Sequence, residues 1–322
     1  MQDNHGRNIN YLRLSITDRC NLRCRYCMPA DGVVQKSCGE ILRYEQFLQI
    51  VEAAVKLGIR KVRVTGGEPL VRKGVIDFLS RLSNIPGIKE VALTTNGLLL
   101  TEKAQALMDA GVKRLNVSID SLQPETYAQI TRGGSLEQVL AGLDAAEAAG
   151  LKLKLNMVVM NGINDQEVVP FAALSLDKPW SVRFIEYMPT IREKQWQNQL
   201  VSGADILCEL QRHYSLKSIS SGRYCGPAKP YRIAGAKGTV GIITPMSEHF
   251  CGSCNRIRVT STGQAKSCLL AGGSLDLKPY LQQSAAELLK ALQQVVGDKP
   301  AQHRYRLELE KDVPFSMSSI GG

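Results

Sequence analysis

Across the first two-thirds of this chain, short apolar or alternating runs are separated by longer stretches whose apolar residues recur every three or four positions. The short runs Leu12–Ile16, Lys61–Thr65, Glu90–Thr94, Arg114–Ile119, Lys152–Val159 and Ser181–Glu186 read as strands. Between them the spacing is helical. Phe47, Ile50, Val51, Ala54 and Leu57 share one face, and Leu136, Val139, Leu140, Leu143 and Ala146 share another. Gly58, Gly111 and Gly150 stand just past helix ends, where a C-terminal cap favours positive φ. Consecutive strand–helix units imply a parallel sheet. Six such units fall short of the eight of a closed barrel. The expected fold is therefore α/β: an open, partial (β/α)6 barrel.

After Gly203 the alternation fades. A stretch rich in Gly, Pro and Ser follows, SSGRYCGPAKPYRIAGAKG, and Leu288, Leu289, Leu292 and Val295 mark a late amphipathic helix. This divides the chain into a barrel region, 1–202, and a C-terminal region, 203–322, expected to carry a further site. The chain has 322 residues, 44% hydrophobic and 22% charged, which is ordinary globular composition. No run approaches the roughly 18 apolar residues of a membrane span, and the first residues lack the apolar core of a signal peptide. Nine cysteines in such a chain point to a reducing cytoplasm, with thiols serving metals and not disulfides. A net charge of +10 suits an anionic partner, either a nucleic acid or a polyphosphate.

The position of the chemistry-bearing residues narrows this. Cys20, Cys24 and Cys27 form a C-x3-C-x2-C run directly after the first strand. Cys251, Cys254 and Cys268 form a second triplet, C-x2-C-x13-C. A structural zinc site takes four protein ligands, whereas an iron–sulfur cube held by three thiolates keeps one iron open to a small molecule. The other strands of the region also end in polar or glycine-rich elements. These are Gly66-Gly67-Glu68-Pro69, then Thr95-Asn96-Gly97, then Ser118 with Asp120, then Asn156, and finally Met188-Pro189. In α/β folds the C-terminal strand ends form the mouth of the active site. Arg256 and Arg258 alternate in an extended stretch beside Cys254, so both guanidinia share one face. Two zinc readings stay open at this stage. The first triplet with a distant fourth ligand would make one, and His249 with the second triplet would make a Cys3His set. Cys38, Cys208 and Cys225 read as ordinary thiols.

The C-x3-C-x2-C run with Tyr26 before its last cysteine, together with the GGEP turn, resembles the radical S-adenosylmethionine enzymes. The second triplet, the Asn255–Arg258 stretch NRIR and the terminal Gly321-Gly322 resemble, within them, the GTP 3′,8-cyclase family of molybdenum cofactor biosynthesis. The likeness runs from about Asn10 to Gly322. It implies two 4Fe–4S clusters, one on each cysteine triplet, with S-adenosylmethionine as cofactor and GTP as substrate. The product would be 3′,8-cyclo-7,8-dihydro-GTP. It also implies that Tyr26, Gly67, Ser118 and Met188 line S-adenosylmethionine. The GTP set would be Arg13, Arg63, Thr94, Lys154, Arg256, Arg258 and the backbone of Ile257, with Lys61 and Arg183 as second-tier cations. The second cluster would anchor the guanine base, and the Gly321-Gly322 tail would reach into the site.

The resemblance further implies a flavodoxin or ferredoxin as electron donor and a downstream enzyme that forms cyclic pyranopterin monophosphate. A homodimer in the cytoplasm is expected, with neither nucleic acid nor membrane as partner. Two other functions compete. One is a two-cluster radical enzyme acting on a peptide or an RNA base. The other is a zinc-bearing nucleic-acid module, which leaves GGEP and the strand-end pattern unexplained.

Overall fold

The computed structural model describes residues 1–302 apart from positions 35, 38, 190–195, 221–225, 249 and 271. Gly321, Gly322, His249, Cys38 and Cys225 therefore lie outside the described residues. Twelve strands form one sheet: β1 (Tyr11–Ser15), β2 (Lys61–Thr65), β3 (Glu90–Thr95), β4 (Arg114–Ser118), β5 (Lys152–Val159), β6 (Ser181–Glu186), β7 (Leu216–Ser218), β8 (Lys229–Ile233), β9 (Thr239–Ile243), β10 (Arg256–Val259), β11 (Gln264–Lys266) and β12 (Leu275–Asp276). Their spatial order is β12-β11-β10-β1-β2-β3-β4-β5-β6-β9-β8-β7, so the sheet stays open. The expected six strands are all present, in sequence order and parallel.

The C-terminal region does more than append a site. Its β10 pairs in parallel with β1, and its β9 pairs in parallel with β6. Both edges of the six-strand core are thus extended by chain from beyond residue 202. Periodicity does not reveal this. β9 is five residues long with a glycine at its centre, and β10 carries arginine at alternate positions, so neither reads as a buried strand.

The helices are α1 (Tyr44–Lys56), α2 (Val75–Ser83), α3 (Leu100–Asp109), α4 (Pro124–Thr131), α5 (Leu136–Ala148), α6 (Val168–Asp177), α7 (Gly203–His213), α8 (Lys278–Leu281) and α9 (Ala285–Gly297). Serines at 135, 202 and 284 cap α5, α7 and α9 by accepting from the backbone N–H three residues on. Each strand buries alternate residues against the helices. Leu12 and Leu14, Val62 and Val64, Leu115 and Val117, Leu153 and Leu155, Val182 and Phe184, and Ile257 and Val259 all belong to one continuous core. The intervening residues face the other way and are largely polar: Arg13, Lys61, Arg63, Asn116, Arg183, Arg256 and Arg258 are all buried. Closed barrels fill that face with branched aliphatics. Here it is built to hold charge.

Gly58, Gly111 and Gly150 adopt positive φ, as their positions after helices require. One expected core residue is displaced: Leu140 is 40% exposed, and Gly142 takes its place on the buried face of α5. The reason is close packing of α5 on α3. A Cβ at 142 would sit 2.7 Å from the Gly97 carbonyl oxygen and 2.9 Å from the Leu100 Cβ. Among the described residues no helix is long and apolar enough to cross a membrane.

This packing gives a paired prediction for chemical denaturation. Gly142→Ala forces α5 away from α3 and costs about 1–3 kcal/mol. Leu140→Gln changes stability by less than about 0.5 kcal/mol. The reverse order would mean that α5 is rotated on its axis.

Candidate functional site

The first cysteine loop leaves the C-terminal end of β1 and is fastened from two sides. On one side it docks on the end of α4. The Arg23 N–H donates to the Thr131 carbonyl at 3.1 Å and the Arg25 N–H to the Ile130 carbonyl at 2.9 Å. Arg132, the one non-glycine residue with positive φ among those described, donates from Nη1 to the carbonyls of Arg23 (3.0 Å) and Met28 (2.8 Å). On the other side lies the Gly66-Gly67-Glu68 turn. The Gly67 N–H donates to the Thr17 carbonyl and the Glu68 N–H to the Arg19 carbonyl, both at 2.8 Å. A Cβ on Gly67 would stand 2.3 Å from the Arg19 oxygen. The glycine is thus demanded by the loop it touches, before any ligand is considered.

Glu68 turns inward and ties strand ends together. Its carboxylate accepts from the Thr95 hydroxyl (2.9 Å) and from the N–H groups of Asn96 (2.6 Å) and Leu70 (3.0 Å). Burial pushes its pKa up to about 7. Asn96 in turn donates to the Asn21 side chain at 2.8 Å, and its amide lies 4.0 Å from the Cys20 sulfur. Asp120, noted in the sequence without a role, accepts from the Tyr26 hydroxyl and from the Val158 N–H, each at 2.8 Å, with burial raising its pKa to about 6. Glu186 does comparable work at the end of β6. It accepts from the N–H groups of Gly203 (2.7 Å), Met246 (2.9 Å) and Ser247 (3.0 Å).

The inner face of the sheet arranges its cations in rows. Arg258, Arg13 and Arg63 are register neighbours across β10, β1 and β2, and one step earlier Arg256, Tyr11 and Lys61 form a second row. Thr94, Asn116 and Lys154 make a third row across β3, β4 and β5. Glu90 is the carboxylate on this face. It pairs with Lys61 at 3.3 Å and with Arg114. Burial, with Arg183, Arg114, Lys61 and Arg63 nearby, lowers the Lys154 pKa to about 6. Burial and the surrounding cations lower Lys61 to about 7. Burial raises the Tyr11 phenol, but Arg63, Arg13, Lys61 and Arg256 outweigh it and bring it down to about 7. The Nε of Arg63, Nη1 of Arg258 and the Thr94 hydroxyl are buried without a hydrogen-bond partner. Such orphaned donors on a cation-rich face fit a polyanion.

One cavity joins these parts. It is lined by Cys20, Cys24 and Cys27, by Tyr26, Gly67, Ser118 and Met188, and by Arg13, Arg63, Thr94, Arg183 and Arg256. Lys61, Lys154 and Arg258 belong to the same sheet face but do not line this cavity. Ile257 is 1% exposed with its side chain in the core, so only its backbone is available to the site.

The second triplet sits at the opposite end of the strands. Cys251 and Cys254 immediately precede β10, and Cys268 follows its antiparallel neighbour β11. Although burial raises a thiol pKa, Arg256 and Lys299 bring Cys254 down to about 6. In the first set, burial holds Cys20 and Cys24 above the ordinary thiol range. Among the described residues no three His, Cys, Asp or Glu side chains converge on a point as a single ion requires. Sets of three soft thiol donors fit site-differentiated iron–sulfur clusters, and the first set lies beside a ligand-sized cavity.

Sequence reasoning missed the supports of the second set. Arg7 pairs with Asp3 at 2.6 Å and donates to the carbonyls of Cys251 (2.9 Å), Pro300 (2.7 Å) and Ala301 (3.2 Å). The carbonyl contacts span more than 240 residues of chain, and no local spacing announces them.

Comparison with known proteins agrees with this geometry. Residues 14–174 match the family model described as the radical SAM superfamily, and residues 180–305 match that described as Molybdenum Cofactor Synthesis C. The chain is 53% identical over 322 residues to the GTP 3′,8-cyclase of Geobacter sulfurreducens, covering 99% of both chains. It is 45% identical to that of Alkaliphilus oremlandii, with full coverage of both. Among solved structures, Streptococcus suis SuiB bound to S-adenosylmethionine superposes with a TM-score of 0.63 at 15% identity, over 88% of this chain and 65% of that one. The anSMEcpe structure with bound AdoMet gives 0.59 at 15% identity, over 94% of each chain. At those identities the structures speak for the fold alone.

The contact between the glycine turn and the first loop is directly testable. Gly67→Ala should displace the loop and abolish iron loading at the first triplet while sparing the second. After anaerobic reconstitution, iron content should fall by about half. Full loading would show that the loop tolerates the Cβ.

Proposed function

This chain belongs to the GTP 3′,8-cyclase family of the radical SAM superfamily, and on that premise we propose which of its residues carry the reaction. The enzyme acts in molybdenum cofactor biosynthesis, joining C3′ of the GTP ribose to C8 of its guanine, with two 4Fe–4S clusters and S-adenosylmethionine as cofactors. When bound, the first cluster and S-adenosylmethionine supply the one-electron chemistry that yields a hydrogen-abstracting carbon radical.

The chain's own residues bind, orient and exclude water. Cys20, Cys24 and Cys27 hold the first cluster at the C-terminal ends of the strands, and Tyr26, Gly67, Ser118 and Met188 line S-adenosylmethionine beside it. Asp120 fixes the Tyr26 ring through its hydroxyl. Arg13, Arg63, Arg256, Arg258 and Lys154 neutralise the triphosphate, Thr94 bonds a ribose or phosphate oxygen, and the Ile257 backbone contacts the nucleotide. Lys61 and Arg183 complete the field. Cys251, Cys254 and Cys268 hold the second cluster, which anchors the guanine from the other end of the strands. The two ligands are then held end to end along the inner sheet face, which sets the ribose between the radical source and its own base. The observation that carries the first-triplet part of this assignment is one cavity bounded by Cys20, Cys24 and Cys27 and by Arg13, Arg63 and Arg256.

We also infer a division of labour between residues 1–202, which generate the radical, and 203–322, which anchor the base. A flavodoxin- or ferredoxin-type donor would reduce the first cluster. The unstable product passes to the enzyme that forms cyclic pyranopterin monophosphate. Residence in the cytoplasm, as a homodimer, completes the reading.

Three measurements test these roles. Iron, sulfide and zinc are counted after anaerobic reconstitution, and GTP is titrated into the reduced protein under EPR. About eight irons with one cluster's spectrum shifting on GTP supports the assignment, and about four irons with one zinc overturns the second site. Cys24→Ala should abolish S-adenosylmethionine cleavage and keep the second cluster's iron. Arg258→Ala should weaken GTP binding about 10- to 150-fold with both clusters intact, the equivalent of one charge-assisted contact.

Binding should also depend on pH. Lys154 and Lys61 have depressed pKa values of about 6 and about 7 in the free protein. Both are largely neutral above neutrality, and the triphosphate favours their charged forms, so binding takes up protons. GTP affinity should therefore fall between about pH 7.5 and pH 9. Calorimetry in buffers of different ionisation enthalpy reads that uptake directly. A flat profile would place these lysines away from the triphosphate.

A further inference from the structure

Lys299 lies just beyond α9, far in sequence from either cysteine triplet, and is 2% exposed. A buried ammonium needs an acceptor for each of its three N–H groups. Two are backbone carbonyls: its Nζ donates to those of Arg256 (2.9 Å) and Ser267 (2.7 Å), and the Cys254 thiol lies within electrostatic reach of it. Arg256 follows Cys254 by two positions and Ser267 directly precedes Cys268. The ammonium therefore bridges the two segments, β10 and β11, that carry the separated halves of the second triplet. Its own backbone is held in turn. The Lys299 and Pro300 carbonyls accept from the Arg7 guanidinium, which also holds the Cys251 carbonyl.

We propose that Lys299 is a positioning residue of the second cluster, a buried cation that locks Cys254 and Cys268 in register and offsets the charge of the thiolate-held iron. The proposal rests on the second triplet holding a cluster, as the preceding section reads it. Three thiolates give a cube net negative charge, and reduction adds more. Buried without a cation, that charge carries a large desolvation cost. An ammonium held beside the ligating thiols favours the reduced form and raises the reduction potential. The same ammonium fixes the Arg256 carbonyl, so the cluster and the first arginine of the GTP face are set by one side chain.

The experiment isolates the second cluster by replacing Cys20, Cys24 and Cys27 with Ala. In this background Lys299, Lys299→Met and Lys299→Gln are compared after anaerobic reconstitution. The readouts are the rate of iron loss to a chelator and the midpoint potential by EPR-monitored titration. Lys299→Met should lose iron roughly 10- to 100-fold faster, the usual effect of removing an outer partner of a metal ligand. Its midpoint should move to more negative potential. Lys299→Gln keeps an N–H donor without the charge, so it should recover part of the retention and none of the potential.

Unchanged retention and midpoint in both variants overturn the proposal. So does equal loss of iron from both triplets in an otherwise intact Lys299→Met protein with a lowered melting temperature, since that would make Lys299 a general support of the fold. A parent protein that loads no iron at Cys251, Cys254 and Cys268 overturns the cluster reading itself, which is a separate failure from any difference among the variants.

Discussion

The constraint on which this structure depends is the burial of like charge. Arg13, Lys61, Arg63, Arg256 and Arg258 stand on adjacent strands of one sheet face, with Lys154 and Arg183 further round. Glu90 is a small counterweight. Burial of so many cations opposes folding, and the depressed pKa values of Lys154 and Lys61 report that opposition. The outer face of the same strands supplies the compensation. Its Leu, Val, Ile and Phe residues form a single core with the helices. The alternation along each strand therefore serves two ends: one face drives folding and the other concentrates positive charge.

The two cysteine sites are supported by different means, and the difference follows from where they sit. The first loop hangs from a strand end and is held mainly through its backbone: glycines pressed against it, carbonyls accepting from Arg132, and a buried Glu68 that ties the ends of β2 and β3 together. The second set lies at the foot of β10 among cations, and charged groups do the holding: Arg7, Lys299 and Arg256. A thiol beside cations is the readier thiolate. A thiol buried near carboxylates, as Cys20 and Cys24 are, stays protonated longer.

Much of this was legible in the sequence where chemistry follows local spacing. The six core strands, the glycine caps and the shared face of Arg256 and Arg258 are short-range patterns, and the structure reproduces them; the two cysteine triplets are legible as spacings alone. What was illegible depends on contacts distant in sequence. β9 is broken by a central glycine and β10 by arginine at alternate positions, and only their pairing with β6 and β1 reveals them. Leu140 falls within the helical period but outside the buried arc, because Gly142 was needed for close approach. Asp120, Glu186, Arg7 and Lys299 have no motif. Each is a buried charge whose meaning lies in the partner it meets. Even Gly67, legible as part of a motif, is explained differently by the structure: the Arg19 carbonyl that it touches is protein.

The reach of Arg7 and Lys299 has a consequence for how the protein is made. The residues that build and brace the first triplet, from Cys20 through Glu68, Asn96, Asp120, Arg132 and Val158, lie in the first half of the chain. The second triplet is finished only when the segment from Lys299 to Ala301 returns to meet Arg7. A ribosome therefore releases a complete first site long before the second can close. The thiols at 251, 254 and 268 are the last to acquire their cations.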